Sequence, residues 1–199
     1  MAQGLPYPWF MAFNPETHHR RSIRLPHYDY SLPGACFVTI CIQNRKCLLG
    51  HIVAGKMILN DAGQMVERWL AILNSKFSNV QTDSFVIMPN HFHGIVMIQN
   101  ETVGADPRVC PLVCPALKKG AHTGAPLHRI VQWFKTMTTN EYIRRIESGH
   151  WPPFHKRLWQ RNYYEHVIRN EEEWNRIREY IKNNPLNWEI DEENPERRT

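Results

Sequence analysis

Between residues 34 and 43 both alternating registers of the chain are largely apolar. Phe37, Thr39 and Cys41 fill one, and Val38, Ile40 and Ile42 fill the other. A strand apolar on both faces belongs in the interior of a sheet. Residues 44–46 read as a turn, and 51–59 as a short strand. Asn60 or Asp61 then caps a helix that runs to about Lys76, with Met65, Val66, Trp69, Leu70 and Leu73 at helical spacing. Two strands follow, over 82–88 and 93–99, joined through Pro89 at a turn. Together they predict an antiparallel hairpin.

Residues 100–126 are rich in Gly, Pro, Ala and Thr and lack periodicity, which predicts a long mobile loop. Residues 127–146 are helical, with Ile130, Phe134 and Met137 on one face, and the Trp151–Pro153 stretch breaks the pattern. A last helix starts at Asn170, where Glu173 completes a capping box and Glu171 and Glu172 suit the helix dipole. Trp174, Ile177 and Ile181 form its buried stripe, and Pro185 ends it. The order strand, helix, strand, strand, helix, helix predicts an α+β domain, an antiparallel sheet with helices packed on it. The 199 residues divide into an irregular arm at 1–20, one domain at 21–190 and a polar tail at 191–199.

Composition narrows the class. No apolar run approaches the length of a membrane span, and residues 1–13 lack the pattern of a secretory signal, so the expected compartment is the cytosol. Five cysteines argue against a disulfide framework. Cys36 and Cys41 read as small core residues. Cys110 and Cys114, with His122 or His128, offer a zinc reading whose spacing is poor. The formal charge is +5 with a pI near 9.0, which suits an anionic polymer partner but does not demand one. The positive charge is clustered at His18–Arg21 and at His155–Arg157, with Arg161 close behind. In the C-terminal half Arg alternates with Trp and Tyr, as suits stacking on single-stranded nucleic acid.

Two stretches carry candidate chemistry. In Met88-Pro-Asn-His-Phe-His-Gly94, residues two apart on a strand share a face, so His91 and His93 present two imidazoles side by side while Phe92 points into the core. Such a pair is half of a divalent-metal site, although histidines at a strand start can also be polar edge residues. On the last helix Tyr180 and Asn184 lie one turn apart on one face. Tyr is a covalent nucleophile type, and the Asn184 amide oxygen can supply a third, hard ligand. The plainer reading is a half-buried Tyr with Asn184 as a helix cap.

Taken together, these pieces resemble the HUH single-tyrosine transposases, and within them the REP-associated branch. The stretch at 88–93 is similar to the histidine–hydrophobic–histidine motif. Leu158-Trp-Gln-Arg-Asn-Tyr-Tyr-Glu-His-Val-Ile-Arg-Asn170 with Tyr180-Ile-Lys-Asn-Asn-Pro185 is similar to that branch's C-terminal signature, and Arg21–Pro26 and Asp29–Thr39 also fit. The resemblance covers about residues 20–190 and is poorest over 100–126. It implies a ferredoxin-like or RNA-recognition-motif-like catalytic domain and a divalent cation, magnesium or manganese, on His91 and His93. It implies Tyr180 as nucleophile, with Tyr163 and Tyr164 as alternatives, and Asn184 as third ligand. The implied reaction is cleavage and rejoining of single-stranded or hairpin DNA through a 5′-phosphotyrosine, by a monomer or homodimer. Arg20, Arg21, Arg24, Lys156, Arg157 and Arg161 are the candidate phosphate contacts. Two other classes stay open: a DNA-binding protein with little catalysis, and a metal-dependent hydrolase that does not act on DNA.

Overall fold

A computed structural model describes residues 32–99 and 126–197. The arm at 1–20, Arg20, Arg21, Arg24, Cys110, Cys114, His122 and nearly all of the 100–126 loop lie outside the described residues.

Four strands form one antiparallel sheet, β1 (Gly34–Cys41), β4 (Val80–Ile87), β5 (His91–Ile98) and β6 (Tyr164–Ile168), in the spatial order β4-β5-β1-β6. The helices α1 (Asp61–Lys76) and α2 (Leu127–Glu147) alternate with them along the chain. This βαββαβ order with β1 and β5 central is the ferredoxin-like arrangement. The expected interior position of β1 follows from its pairing with β5 on one side and β6 on the other.

Three expectations need correction. The six-element order omitted β6, the fourth strand of the sheet. And β5 begins at His91, two residues earlier than read, so both histidines lie on an interior strand. Residues 51–59 are not one strand but a separate hairpin, β2 (Gly50–Val53) and β3 (Lys56–Leu59). Its two-residue turn, Ala54 and Gly55, has φ of 48° and 72°, the positive values that match the turn to the strands' twist.

The sheet has a core on each face. Cys36, Val38, Ile40, Phe92, Val96 and Val167 pack on α1 and α2. Ala35, Phe37, Ile95 and Ile168 pack on α3 (Glu171–Asn183) through Trp174, Ile177 and Ile181. The Asn170 side chain caps α3 by accepting from Glu173 N at 2.8 Å. The reciprocal bond of the expected box goes one residue further back, with Glu173 Oε2 accepting from Arg169 N at 2.8 Å. α3 is held against the edge strand by Asp83, whose carboxylate accepts twice from Arg178, at 2.7 Å each, and from Trp174 Nε1 at 2.9 Å. After Asn183 the α-helix gives way to a 3-10 helix, Asn184–Ile190, with Pro185 in its first turn. The α-helix thus ends just before Pro185, as read, and the chain continues as a 3-10 helix.

Gly94 explains the end of the His-Phe-His-Gly stretch. A Cβ there would lie 2.5 Å from the tip of the Phe92 ring, which is buried beside Phe85 and Phe134. Gly94→Ala is expected to lower stability by about 1–3 kcal/mol through overpacking, read as a drop in the denaturation midpoint at unchanged m-value.

Candidate functional site

On β5 the side chains of His91, His93 and Ile95 share the face covered by α3, while Phe92 points to α1 and α2. The two imidazole centroids are 4.4 Å apart. Both rings are buried, at 0% and 3% exposure, so they are not the polar edge residues that their place near a turn allowed. Burial pushes the His91 imidazole down to about 3, against a smaller upward pull from the Asn184 side chain, and the nearby Arg45 charge adds to the depression. Burial, then the neighbouring His91, holds His93 well below the ordinary range. Both rings are therefore neutral, the form that binds metal.

Hydrogen bonds orient each ring. His93 Nδ1 meets Thr39 Oγ1 at 2.7 Å, Thr39 being its register partner on β1. His91 Nδ1 meets Asn90 Oδ1 at 2.8 Å. The far nitrogens then point into the site. His93 Nε2 lies 3.3 Å from the Tyr180 hydroxyl, and His91 Nε2 is buried with no hydrogen-bond partner.

The end of α3 supplies the other wall. Tyr180 packs its ring edge-on against Phe37 and His93, with centroids 5.9 and 5.3 Å away. Asn184 is almost fully buried, its amide lies against His91, and its Oδ1 has no hydrogen-bond partner. A buried ring nitrogen and a buried amide oxygen that both lack a hydrogen-bond partner cost free energy unless something joins them. The residues present thus fit a cation.

Sequence reasoning missed one member of the cluster. Asp191 sits in the stretch read as a polar tail, yet the 3-10 helix after α3 carries it back to the histidines. The ligand-type atoms of His91, His93 and Asp191 all lie within 4.8 Å of one another, so this group could hold a metal ion. Burial and then the charge of Glu193 raise the Asp191 carboxyl, while the Glu193 N–H and the Asn184 side chain partly oppose the shift. No spacing in the sequence links Asp191 to the His pair. The set of two imidazoles, a carboxylate and an amide oxygen combines borderline nitrogen with hard oxygen donors, a set that a divalent cation can use.

Tyr164 shares the α3 face, opposite Thr39 on β6, and its ring contacts Phe37. Tyr163 packs on the other core, under the Lys135 ammonium. His128 of the zinc reading lies on α2.

Of the expected phosphate contacts, Lys156, Arg157 and Arg161 are exposed. Lys156 and Arg157 line a shallow concavity with His155, Gln43 and Asn44. The Leu158–Asn170 stretch ties this rim to the sheet. Leu158 O accepts from Gln43 N at 2.8 Å, Gln160 N donates to Cys41 O at 2.8 Å, and Trp159 is buried with its Nε1 donating to Thr138 Oγ1 at 2.8 Å. Cys41 is the register partner of His91, so the basic rim adjoins the end of the sheet that holds the His pair. Among the described residues no helix is long and apolar enough to cross a membrane.

No family model matches the chain. A Haemophilus influenzae (strain Rd) protein of uncharacterised function is 42% identical over 181 residues, covering 90% of this chain and 96% of its own length. Among solved structures, a REP-associated tyrosine transposase bound to a REP hairpin superposes with a TM-score of 0.50 at 18% identity, over 85% of this chain and 73% of its own. A transposase candidate from Deinococcus radiodurans superposes at 0.43 and 13% identity over 80% of this chain and 95% of its own, too distant to bear on the site. The chain therefore belongs to one family with the Haemophilus protein, and its fold is that of the solved REP-associated tyrosine transposase.

Proposed function

We propose that the protein cleaves and rejoins single-stranded DNA, of the hairpin type bound by its structural relative, through a covalent tyrosine intermediate. The observation that carries this reading is the Tyr180 hydroxyl, 3.3 Å from His93 Nε2, on the same helix end that lays Asn184 against His91. A candidate nucleophile and a candidate metal site thus share one helix end and one face of the sheet.

His91, His93 and Asn184, with Asp191, would hold the cation. When bound, a divalent cation supplies Lewis-acid polarisation of a non-bridging phosphate oxygen. Tyr180 provides the nucleophile. Its oxygen forms a bond to phosphorus as the bond from phosphorus to the 3′ oxygen breaks, giving a 5′-phosphotyrosine and a free 3′-hydroxyl. The phenolic proton must leave the attacking oxygen, and the departing 3′ oxygen takes one up. A free phenol has a pKa near 10, so the step is favoured by rising pH near neutrality. The phosphodiester energy is retained, and attack by a second 3′-hydroxyl on the phosphotyrosine reverses the step.

The test is an oligonucleotide library of hairpins with single-stranded flanks, incubated with protein and manganese or magnesium, then run on a denaturing gel. A band that joins protein to DNA and survives SDS is expected. Cleavage with release by water and no such band would favour the hydrolase reading. Tight binding without cleavage in either metal would favour a DNA-binding protein with little catalysis.

Lys156, Arg157 and Arg161 are the proposed phosphate contacts among the described residues. Affinity for a single strand is expected to fall with salt, log K against log salt having a slope of about −0.7 per neutralised phosphate. Arg157→Ala is expected to make that slope shallower by roughly 0.7, measured by fluorescence anisotropy across a salt series. An unchanged slope removes Arg157 from the interface.

A further inference from the structure

We propose that Asn90 is a positioning residue that fixes His91 as its Nδ1–H tautomer, leaving Nε2 as a bare lone pair aimed into the site. The functional consequence rests on the metal reading above; the tautomer itself does not.

Donors and acceptors around Asn90 fix the tautomer. An amide side chain has two N–H donors and one accepting oxygen. Asn90 Nδ2 donates to Arg45 O at 2.9 Å and to Glu193 O at 2.6 Å. Both partners are carbonyls and can only accept. Rotating the amide by half a turn would set its oxygen against two other oxygens, so the orientation is fixed. Oδ1 is then the atom 2.8 Å from His91 Nδ1. It can only accept, so the proton of that hydrogen bond belongs to Nδ1. A proton on Nε2 as well would leave a charged donor fully buried with nothing to accept it, since His91 is 0% exposed and its Nε2 has no hydrogen-bond partner. The single ring proton is therefore the one on Nδ1, and Nε2 carries none.

Thr39 does not do the same for His93. Its hydroxyl, 2.7 Å from His93 Nδ1, can donate or accept, so that ring stays free to change tautomer. Asn90 is 1% exposed, and its own carbonyl accepts from Ile42 N at 2.7 Å. The residue thus joins three segments: the loop after β1, the head of β5 and the C-terminal stretch. In that stretch, Glu193 pairs with Arg45 at 2.9 Å, and Glu193 N donates to Asp191 at 2.7 Å. The contact that sets the His91 proton also holds the stretch that brings Asp191 to the site.

The experiment uses the full chain, metal-free, with histidine labelled by nitrogen-15. Long-range proton–nitrogen correlations report which ring nitrogen carries the proton. The parent is expected to show His91 protonated on Nδ1. Asn90→Ala is expected to shift the proton toward Nε2 and to weaken manganese binding by about 10–100-fold, the usual effect of losing an outer partner of a metal-binding histidine. Asn90→Asp keeps an acceptor for Nδ1–H but cannot donate to the two carbonyls. It is expected to keep the tautomer while hydrogen exchange at 191–194 accelerates, and it serves as the second variant where Asn90→Ala folds poorly. A parent protonated on Nε2 overturns the proposal, as does Asn90→Ala with both tautomer and manganese affinity unchanged. A parent protonated on Nδ1 that binds no manganese leaves the proposal standing and sinks the metal reading.

Discussion

Tyr180→Phe is expected to abolish the SDS-resistant protein–DNA adduct, a loss to below detection, with the fold intact and DNA affinity within about twofold of the parent. The substitution removes one oxygen and little packing volume. The ring keeps its edge contacts with Phe37 and His93. The hydroxyl contact at 3.3 Å is long for a hydrogen bond between a hydroxyl and a ring nitrogen, so its loss costs at most about 1 kcal/mol. Of the two nearby phenols, one faces the other core. Tyr163 packs on the α1/α2 side of the sheet. Tyr164 is on the site face, but burial, and then the charge of Glu173, raise its phenol above the ordinary value. It is therefore less ionised and a poorer nucleophile at neutral pH. Tyr164→Phe and Tyr163→Phe should keep the adduct. Peptide mapping of the cross-linked protein decides between them. A DNA-bearing peptide that contains Tyr164 would move the nucleophile to β6 and leave the covalent reading intact. An adduct from Tyr180→Phe at the parent's yield would remove Tyr180 from the chemistry.

The parts of this site that were legible in the sequence are those governed by a fixed period. His91 and His93 had to share a face because a strand repeats every two residues, and Tyr180 and Asn184 because a helix nearly repeats every four. Asn170 and the acidic turn after it located the start of α3 for the same reason, since capping is local chemistry. β6 escaped because its five residues carry Glu165 and His166, which blur the alternation. Glu165 is nevertheless buried with neither carboxylate oxygen hydrogen-bonded, so its position owes more to pairing with Val38 on β1 than to its own preference. That is tertiary context overriding propensity. Asp191 escaped for a different reason. Its approach to the histidines depends on how far the chain turns after Pro185, and that is set by the 3-10 helix and by contacts of Glu193 with Arg45 and Asn90. Those partners lie more than a hundred residues away along the chain, beyond the reach of any local pattern. Asn90 itself was in view beside the histidines, but its role depends on two carbonyls that only the fold brings near.

Loss of either histidine is expected to remove manganese-dependent cleavage by at least about a hundredfold, and to remove the stabilisation that the metal confers. His91→Asn and His93→Asn are suitable because they keep a polar side chain in a confined space. For the parent, manganese at about one hundred times its dissociation constant adds roughly 2.7 kcal/mol, which for a chain of this size raises the melting temperature by about 5–10 °C. Neither variant should show this rise. The same groups set an acid response in the metal-free protein, and its sign follows from the direction of their shifts. An unfolded histidine takes up a proton near its ordinary value of about 6.5, whereas folded His91 resists protonation down to about 3, and folded His93 is lowered in the same direction. Between those limits the unfolded chain binds more protons than the native one, so stability falls as pH falls through this window and levels off below it. Above about 6.5 these two rings make no pH-dependent contribution. Melting in EDTA from pH 8 to 4 should therefore decline for the parent, and the part of the decline due to each ring should disappear in its variant. Carboxylates contribute to the same limb, so the comparison is parent against variant at each pH. No rise in the parent's melting temperature on adding manganese would show that the buried histidines are packing residues, and a metal-free parent curve that matches both variants at every pH would show that burial does not hold their rings neutral.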